Sequence, residues 1–545
     1  MSSRHSRPSS ARNGIPANHR RSHLDGASSS SMARHRTRHR TLKGLAKRGR
    51  GASVFRPFYT TADGHGCDVG YVTIDELPDE VLLDMFNIYV NEATGTEEWH
   101  ALVHVCRRWR NVVFSSPRRL DLRLLCTTRR PVRARLDVWP ALPIIIDGSV
   151  DPTTLPVESA DNILAALEHR DRVCHISLQH IPNSLVGRLA AAMYEPFQEL
   201  TYLELRSNDE SAAPGLPDSF LGGSAARLQR LRLVCIPFPA LPKLLLSACQ
   251  LVSLELVDIP HSGYISPRMM VTCLSALIRL DTLRLEFRSP LSRPTTPSPS
   301  RLTRVLLPAL SMLYFKGVSE YFEDLVAQID APLLSQIWIE FFHQLLFDTP
   351  QLLQFISRTN GLKTSDRADV LFRGDCVRIV LYSRRGMVER RILGLTILCR
   401  ASEWQLSSMA QLCGAFLPPL SSTLERLDIR EDTLRPYWHD DMENVQWLEL
   451  LQPFTAVKDL YLSKGLEPRV RPVLQEVAAD SEGLTGVLPA LQSVVIEGLQ
   501  LSGSVQAVSH GEVRRRGAIG SPRSCPPSAK TGFGIERREW SEVYD

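Results

Sequence analysis

The sequence predicts an α/β chain: a small helical module over residues 69–125, then an irregular solenoid of strand–helix repeats over 126–500 with a parallel sheet on its concave side. Three observations carry that reading. Aliphatic triplets of the form Leu-x-x-Leu-x-Leu recur along most of the chain. Apolar residues recur at helical spacing between Ile74 and Phe114. Composition changes sharply near residue 68 and again after residue 500.

The first 68 residues are rich in Ser, Arg, His, Gly and Pro and almost lack acids before Asp63. Such a segment cannot offset its ordering entropy by burial, so a disordered basic tail is expected. Its runs Arg34–Arg40 and Lys47–Arg50 suit a nuclear-import signal, a tether to an acidic surface, or a solvated tail with no address. Pro8, Pro16 and the scarcity of Leu argue against the amphipathic helix of a mitochondrial transit peptide.

In the helical module, Asp75 reads as a helix N-cap and Pro78 as a first-turn residue, with acids at the positive helix end. Leu77, Val81, Leu82, Met85, Phe86 and Tyr89 then give one broad apolar face. Leu102, Val105, Cys106, Trp109 and Val112 repeat the pattern on a later helix, and Gly95 obscures what lies between. About forty residues cannot bury that much apolar surface alone, so a partner is expected to cover it.

The triplets begin at Val173/Ile176/Leu178, Leu200/Leu203/Leu205, Leu228/Leu231/Leu233, Leu251/Leu254/Leu256 and Leu280/Leu283/Leu285. They continue at Leu310/Leu313/Phe315, Leu334/Ile337/Ile339, Leu424/Leu427/Ile429, Val457/Leu460/Leu462 and Leu491/Val494/Ile496. This spacing is that of leucine-rich repeats. Helical returns are expected at Ile163–His169, Ser184–Met193, Glu320–Gln328, Gln344–Ser357 and Trp404–Phe416. Between Ile339 and Leu424 the pattern lapses into Val377–Tyr382 and Leu393–Cys399, two strands joined by a basic turn. Ser289–Ser300 reads as an exposed loop, and Asn208 as a repeat-closing turn residue.

Residues between the buried aliphatics should point into the concavity. Among them Arg230, Arg232, Arg284, Tyr314, Trp338, Arg426 and Tyr461 are the candidate target-binding side chains, because Arg and aromatic anchors dominate protein interfaces. Arg230, Arg232 and Arg284 form the most basic patch, suited to an acidic or phosphorylated segment.

Composition fits a soluble intracellular protein: 43% hydrophobic and 23% charged, net charge +5, eleven cysteines with no Cys-x-x-Cys pair, and no apolar run of membrane-spanning length. No nucleophile elbow, phosphate-binding loop or dinucleotide fingerprint occurs. His100 and His104 lack a third metal ligand, and Tyr437–Asp441 reads as a turn with an acidic cap, so neither enzymatic activity nor a cofactor is expected.

The helical module resembles the F-box. The match runs through Leu77-Pro78, Glu80-Val81-Leu82, Met85-Phe86, Tyr89, Val103, Val105-Cys106, Arg108-Trp109-Arg110 and Val112. With the repeats behind it, the chain is similar to fungal F-box proteins carrying a leucine-rich-repeat-like C-terminal region, over residues 74–500. The resemblance implies that Leu77, Pro78, Val81, Leu82, Met85, Phe86, Cys106 and Trp109 contact a Skp-family adaptor or pack beneath those contacts. Through it the protein would join a cullin–RING ubiquitin ligase, the repeats holding a protein substrate. Two alternatives stand beside this: a non-degradative repeat scaffold, and a nucleic-acid-associated protein tethered by the basic N-terminal arm. The expected compartment is cytoplasmic or nuclear, with no membrane partner. After Leu499 the composition returns to that of a disordered tail over 501–545.

Overall fold

Leucines spaced two and three apart need a strand beneath them, and strands joined by helical returns need a common sheet. The computed structural model describes residues 73–92, 97–128, 132–148, 157–207, 214–291, 304–344, 346–385, 388–399, 401–417, 422–432, 444–479 and 486–496. The expectations for both terminal tails, Asn208, the 292–300 loop and Tyr437–Asp441 lie outside the described residues. The chain divides into two units between Leu77 and Pro78.

Of the first unit, Ile74–Glu76 form a 3-10 turn in which the Thr73 N–H donates to Glu76 Oε2 at 3.4 Å. Asp75, expected as a helix N-cap, therefore lies inside this turn. The second unit opens with α1 (Asp79–Glu92), α2 (Trp99–Val103) and α3 (Arg107–Ser115). The carbonyl of Pro78 accepts from Leu82 N at 3.1 Å, so proline precedes the first turn instead of sitting within it. The single later helix expected through Leu102–Val112 is two helices. Cys106 is extended, with φ −153° and ψ 172°, and its Sγ accepts from Trp109 N at 3.4 Å. That break lets α3 turn back and pack on α1.

The solenoid starts at β1 (Leu124–Thr127) and alternates with helices: α4 (Val132–Val138), β2 (Ile144–Asp147), α5 (Val157–Leu167), β3 (Val173–Ile181), α6 (Asn183–Ala192) and β4 (Tyr202–Ser207). It continues through β5 (Arg230–Val234), α7 (Leu241–Leu245), β6 (Ser253–Ile259), α8 (Pro267–Leu274) and β7 (Thr282–Phe287). Then follow β8 (Val305–Leu306), β9 (Met312–Gly317), α9 (Ser319–Val326), β10 (Ile329–Asp330) and β11 (Gln336–Phe342). The strands β1 to β7, β9 and β11 pair in chain order, all parallel, while β8 and β10 form a small separate pair. The second and third residues of every aliphatic triplet lie on a strand.

Local chemistry explains the helical returns. Ser266 caps α8, its Oγ accepting from Met269 N, with Pro267 at the first helical position. The return expected to begin at Gln344 starts instead at Pro350, forming α10 (Pro350–Arg358), because proline pre-sets the first helical turn. Helices α4 to α6 and α7 to α10 pack neighbour on neighbour along the array, closing a single core with the inner face of the sheet. At its centre Phe287, Phe315, Tyr321, Phe322 and Phe341 meet ring to ring, and the Tyr321 hydroxyl donates to the Ile265 carbonyl at 2.9 Å.

After β11 the order changes. The chain passes through α10 to β12 (Arg367–Phe372), returns along β13 (Cys376–Arg385) and comes back along β14 (Val388–Leu398), which pairs with β11. Helix α11 (Ser402–Phe416) then crosses to β15 (Arg426–Glu431), which pairs with β12. α12 (Asn444–Leu451), β16 (Asp459–Leu462), α13 (Glu467–Ala479) and β17 (Ser493–Ile496) finish the array. The fifteen-stranded sheet is therefore not wholly parallel: β13 runs antiparallel to both neighbours. The lapse in the repeat is a three-stranded insertion, and its first strand carries no aliphatic triplet.

Candidate functional site

Two surfaces stand out. The first is the exposed side of α1. Leu82, Leu83 and Phe86 are buried, Phe86 against the ring of Trp109 with centroids 4.7 Å apart. One turn round, Val81, Met85, Ile88 and Tyr89 stay 41%, 44%, 57% and 42% exposed, and Val105 is 59% exposed. Pro78 is exposed, whereas Leu77, Cys106 and Trp109 are half-buried. The residues expected to meet the adaptor thus divide: Val81, Met85 and Pro78 face outward, while Leu82 and Phe86 hold the helix down. Cys106 builds the turn that starts α3. Arg108 clamps α3 to α1 by donating Nε and Nη2 to Asp79 Oδ1 at 2.9 and 2.7 Å. Ile88 was not in the apolar pattern, and only the structure adds it.

The module is fixed to the sheet. Trp99, 1% exposed, donates Nε1–H to the Arg123 carbonyl at 3.1 Å and meets the Trp139 ring edge-on, while His100 stacks on that same ring. Glu97 accepts from the Leu125 N–H at 3.2 Å, and Arg135 both pairs with Glu97 and donates to the Leu125 carbonyl at 2.7 Å. These two side chains occupy backbone groups that the edge strand β1 would otherwise leave open.

The second surface is the outer face of the sheet. Register aligns Glu204, Arg232, Glu255, Arg284, Tyr314, Trp338 and Gly394 in one row across β4, β5, β6, β7, β9, β11 and β14. Arg232 stands 3.6 Å from both Glu204 and Glu255, and Arg284 Nε donates to Glu286 at 2.6 Å. Arg284 then lies 5.7 Å from the Tyr314 centroid, and Tyr314 is parallel to Trp338 within 8°. Trp338 covers Gly394, where a Cβ would stand 2.3 Å from the ring. A depression of about 540 Å³ opens among Arg230, Glu255, Asp281, Arg284, Met312 and Tyr314.

Burial governs the charges here. It pushes the Glu286 carboxyl up despite Arg284, and it pushes the Tyr202 phenol up beside Glu204, to which the hydroxyl donates at 2.8 Å. Glu204, expected to face solvent, is 6% exposed, because Tyr202 and Arg232 cover it. The structure brings Arg230, Arg232, Arg284, Tyr314 and Trp338 together. Arg426 and Tyr461 form a separate patch, four strand spacings or about 19 Å beyond Trp338. There Arg426 lies 3.8 Å from the Tyr461 centroid, and Arg367 and Arg426 converge on Asp428, which is 4% exposed. Of the patch singled out as most basic, Arg232 and Arg284 have glutamate partners, while Arg230 is exposed with no ion pair among the described residues.

No family model matches the sequence, and no curated protein does. Among solved structures it is similar to the leucine-rich repeat-containing protein LegL7 from Legionella pneumophila, at 12% identity and a TM-score of 0.27, over 69% of this chain and 90% of that one. Among the described residues no helix is long and apolar enough to cross a membrane.

Proposed function

We propose that this protein is the non-catalytic substrate-receptor subunit of a Skp–cullin–F-box ubiquitin ligase. Helix α1 holds the Skp-family adaptor, and the outer face of the sheet holds a protein target. The observation that carries the reading is the exposed apolar stripe of Val81, Met85, Ile88 and Tyr89 on a helix whose other side is already packed. A helix face with Met and aromatic anchors suits a partner's groove. Catalysis then comes from proximity: target and conjugating enzyme are held on one assembly, which raises their effective concentration. The Trp99–Trp139 contact and the Glu97–Arg135 clasp favour this role, because they hold the helical module at a set angle to the first strands.

The test is binding of the full-length protein to purified Skp-family adaptor, beside a Val81→Glu/Met85→Glu variant. Both positions are exposed, so the variant should keep the wild-type melting temperature and lose binding at least tenfold. A well-folded wild type that ignores the adaptor would leave the non-degradative repeat scaffold as the function.

A further inference from the structure

On the insertion Arg384 and Arg391 have no ion pair among the described residues; in the regular half the same holds for Arg206 and Arg230, which stand outside the row described next. Register places Arg391, Tyr382, Arg367 and Arg426 in one row across β14, β13, β12 and β15, with Arg384 opposite Glu389 two residues further along the hairpin. Two of these guanidiniums are pre-oriented. Arg367 donates Nε to Asp428 at 2.6 Å and Nη1 to Glu389 at 2.9 Å, with its guanidinium 5.1 Å from the Tyr382 centroid. Arg426 donates Nε and Nη2 to the two oxygens of Asp428 at 3.0 and 2.8 Å, and stacks on Tyr461. The other two, Arg384 and Arg391, are exposed and have no ion pair among the described residues.

The hairpin also projects. β12 pairs with β13 only as far as Tyr382, and β11 pairs with β14 only from Leu393 onward. Residues 383–385 and 388–390 therefore have only each other as strand partners.

We propose that this row is a docking site for an extended, carboxylate-rich segment of a protein partner. Side chains on one side of an extended segment repeat about every 7 Å, between the roughly 5 and 10 Å spacings of arginines on adjacent and alternate strands. Planar guanidiniums take carboxylates in pairs of parallel hydrogen bonds. Glu389 and Asp428 remain within the patch and keep its positive excess small. That suits a short run of Asp and Glu rather than the dense phosphate charge of a nucleic acid. The inference rests on the sheet face as the target-binding surface and is independent of the adaptor helices.

The test uses full-length protein and an octaglutamate peptide bearing a fluorophore and a photo-crosslinker. Crosslinks are expected within residues 367–391 and 426–431. An Arg384→Ala/Arg391→Ala variant, unchanged in melting temperature, should bind the peptide at least tenfold more weakly. An Arg206→Ala/Arg230→Ala variant, on the other half of the sheet, should bind as the wild type does. Crosslinks confined to the basic residues before 68, absence of binding, or an affinity indifferent to Arg384 and Arg391 would overturn the proposal. Adaptor binding measured on the same preparations separates the two readings. Adaptor capture without peptide capture counts against this site alone, and the reverse counts against the ligase role alone.

Discussion

From β3 to β11 the sheet is a regular parallel array, and its outer face alternates acid with base before ending in two stacked rings. From β12 to β16 the strand order folds back on itself, and the outer face carries arginines gathered on two nearly buried aspartates. Regular stacking keeps a position facing the same way in every repeat, so neighbouring strands can neutralise one another residue by residue. The insertion breaks that periodicity. Charge is then balanced within clusters, and unmatched guanidiniums are left at the hairpin's end. In the regular half the row from Glu204 to Arg284 is matched and Arg206 and Arg230 are not; on the insertion the unmatched Arg384 and Arg391 lie beside two guanidiniums already held in place.

One core lies beneath both halves of the sheet. Leu313 in β9 and Leu393 in β14 are both fully buried, so each change to Ala should cost about 2–5 kcal/mol in denaturant unfolding. A cost below about 1 kcal/mol at either would mean that the halves are not equally packed.

The clustered acids should matter more than the alternating ones. Asp428→Asn takes the charged partner from Arg426 and one of two from Arg367, and should cost about 1.5–3 kcal/mol, as hydrogen bonds to charged groups do. Glu255→Gln, in the partly exposed alternating row, should cost less than about 1 kcal/mol. Equal costs would remove the distinction. At the junction, Gly394→Val drives a side chain into the Trp338 ring and should cost about 1–3 kcal/mol, with a changed near-UV circular dichroism spectrum.

The last effect is pH-dependent and lies in the regular half. Glu323 accepts from the N–H groups of Gln351 and Leu352 at 2.7 and 2.8 Å, capping α10 from α9. Burial pushes its carboxyl up to about 7; the two N–H groups oppose this, and Asp348 and Asp324 add to it. With the folded value above the unfolded one, this group's contribution is fully present below pH of about 4.5 and is lost as pH rises through about 7. Glu323→Gln removes the titration. Its melting temperature relative to wild type should therefore rise between pH 5 and pH 8, and an unchanged difference would exclude Glu323 as the titrating group.

Much of this was legible in the sequence. The aliphatic triplets located ten strands, because a residue pattern repeated so often has one consistent burial. In the triplets on β4, β5, β6, β7, β9 and β11 the residue between the second and third aliphatic reads Glu204, Arg232, Glu255, Arg284, Tyr314, Trp338, so the charge-matched row was itself open to reading. Other features were not. Ile144, Ile145 and Ile146 between prolines show no period, which hid β2. Strand order in the insertion depends on α10 passing over two strand positions, which no local pattern encodes. His180, Cys235 and Asp258 turn the chain at positive φ near the ends of β3, β5 and β6 without a glycine to signal it. In the helical module, the pattern found the apolar helix but not which residues pack inward, since Leu82 and Val81 are neighbours with opposite fates.

Hydrogen exchange of the full-length protein with and without purified Skp-family adaptor tests the central claim most directly. Protection on binding should concentrate in residues 79–92 and 99–115 and leave the sheet unchanged. Exchange unaltered in those helices at saturating adaptor would contradict the account.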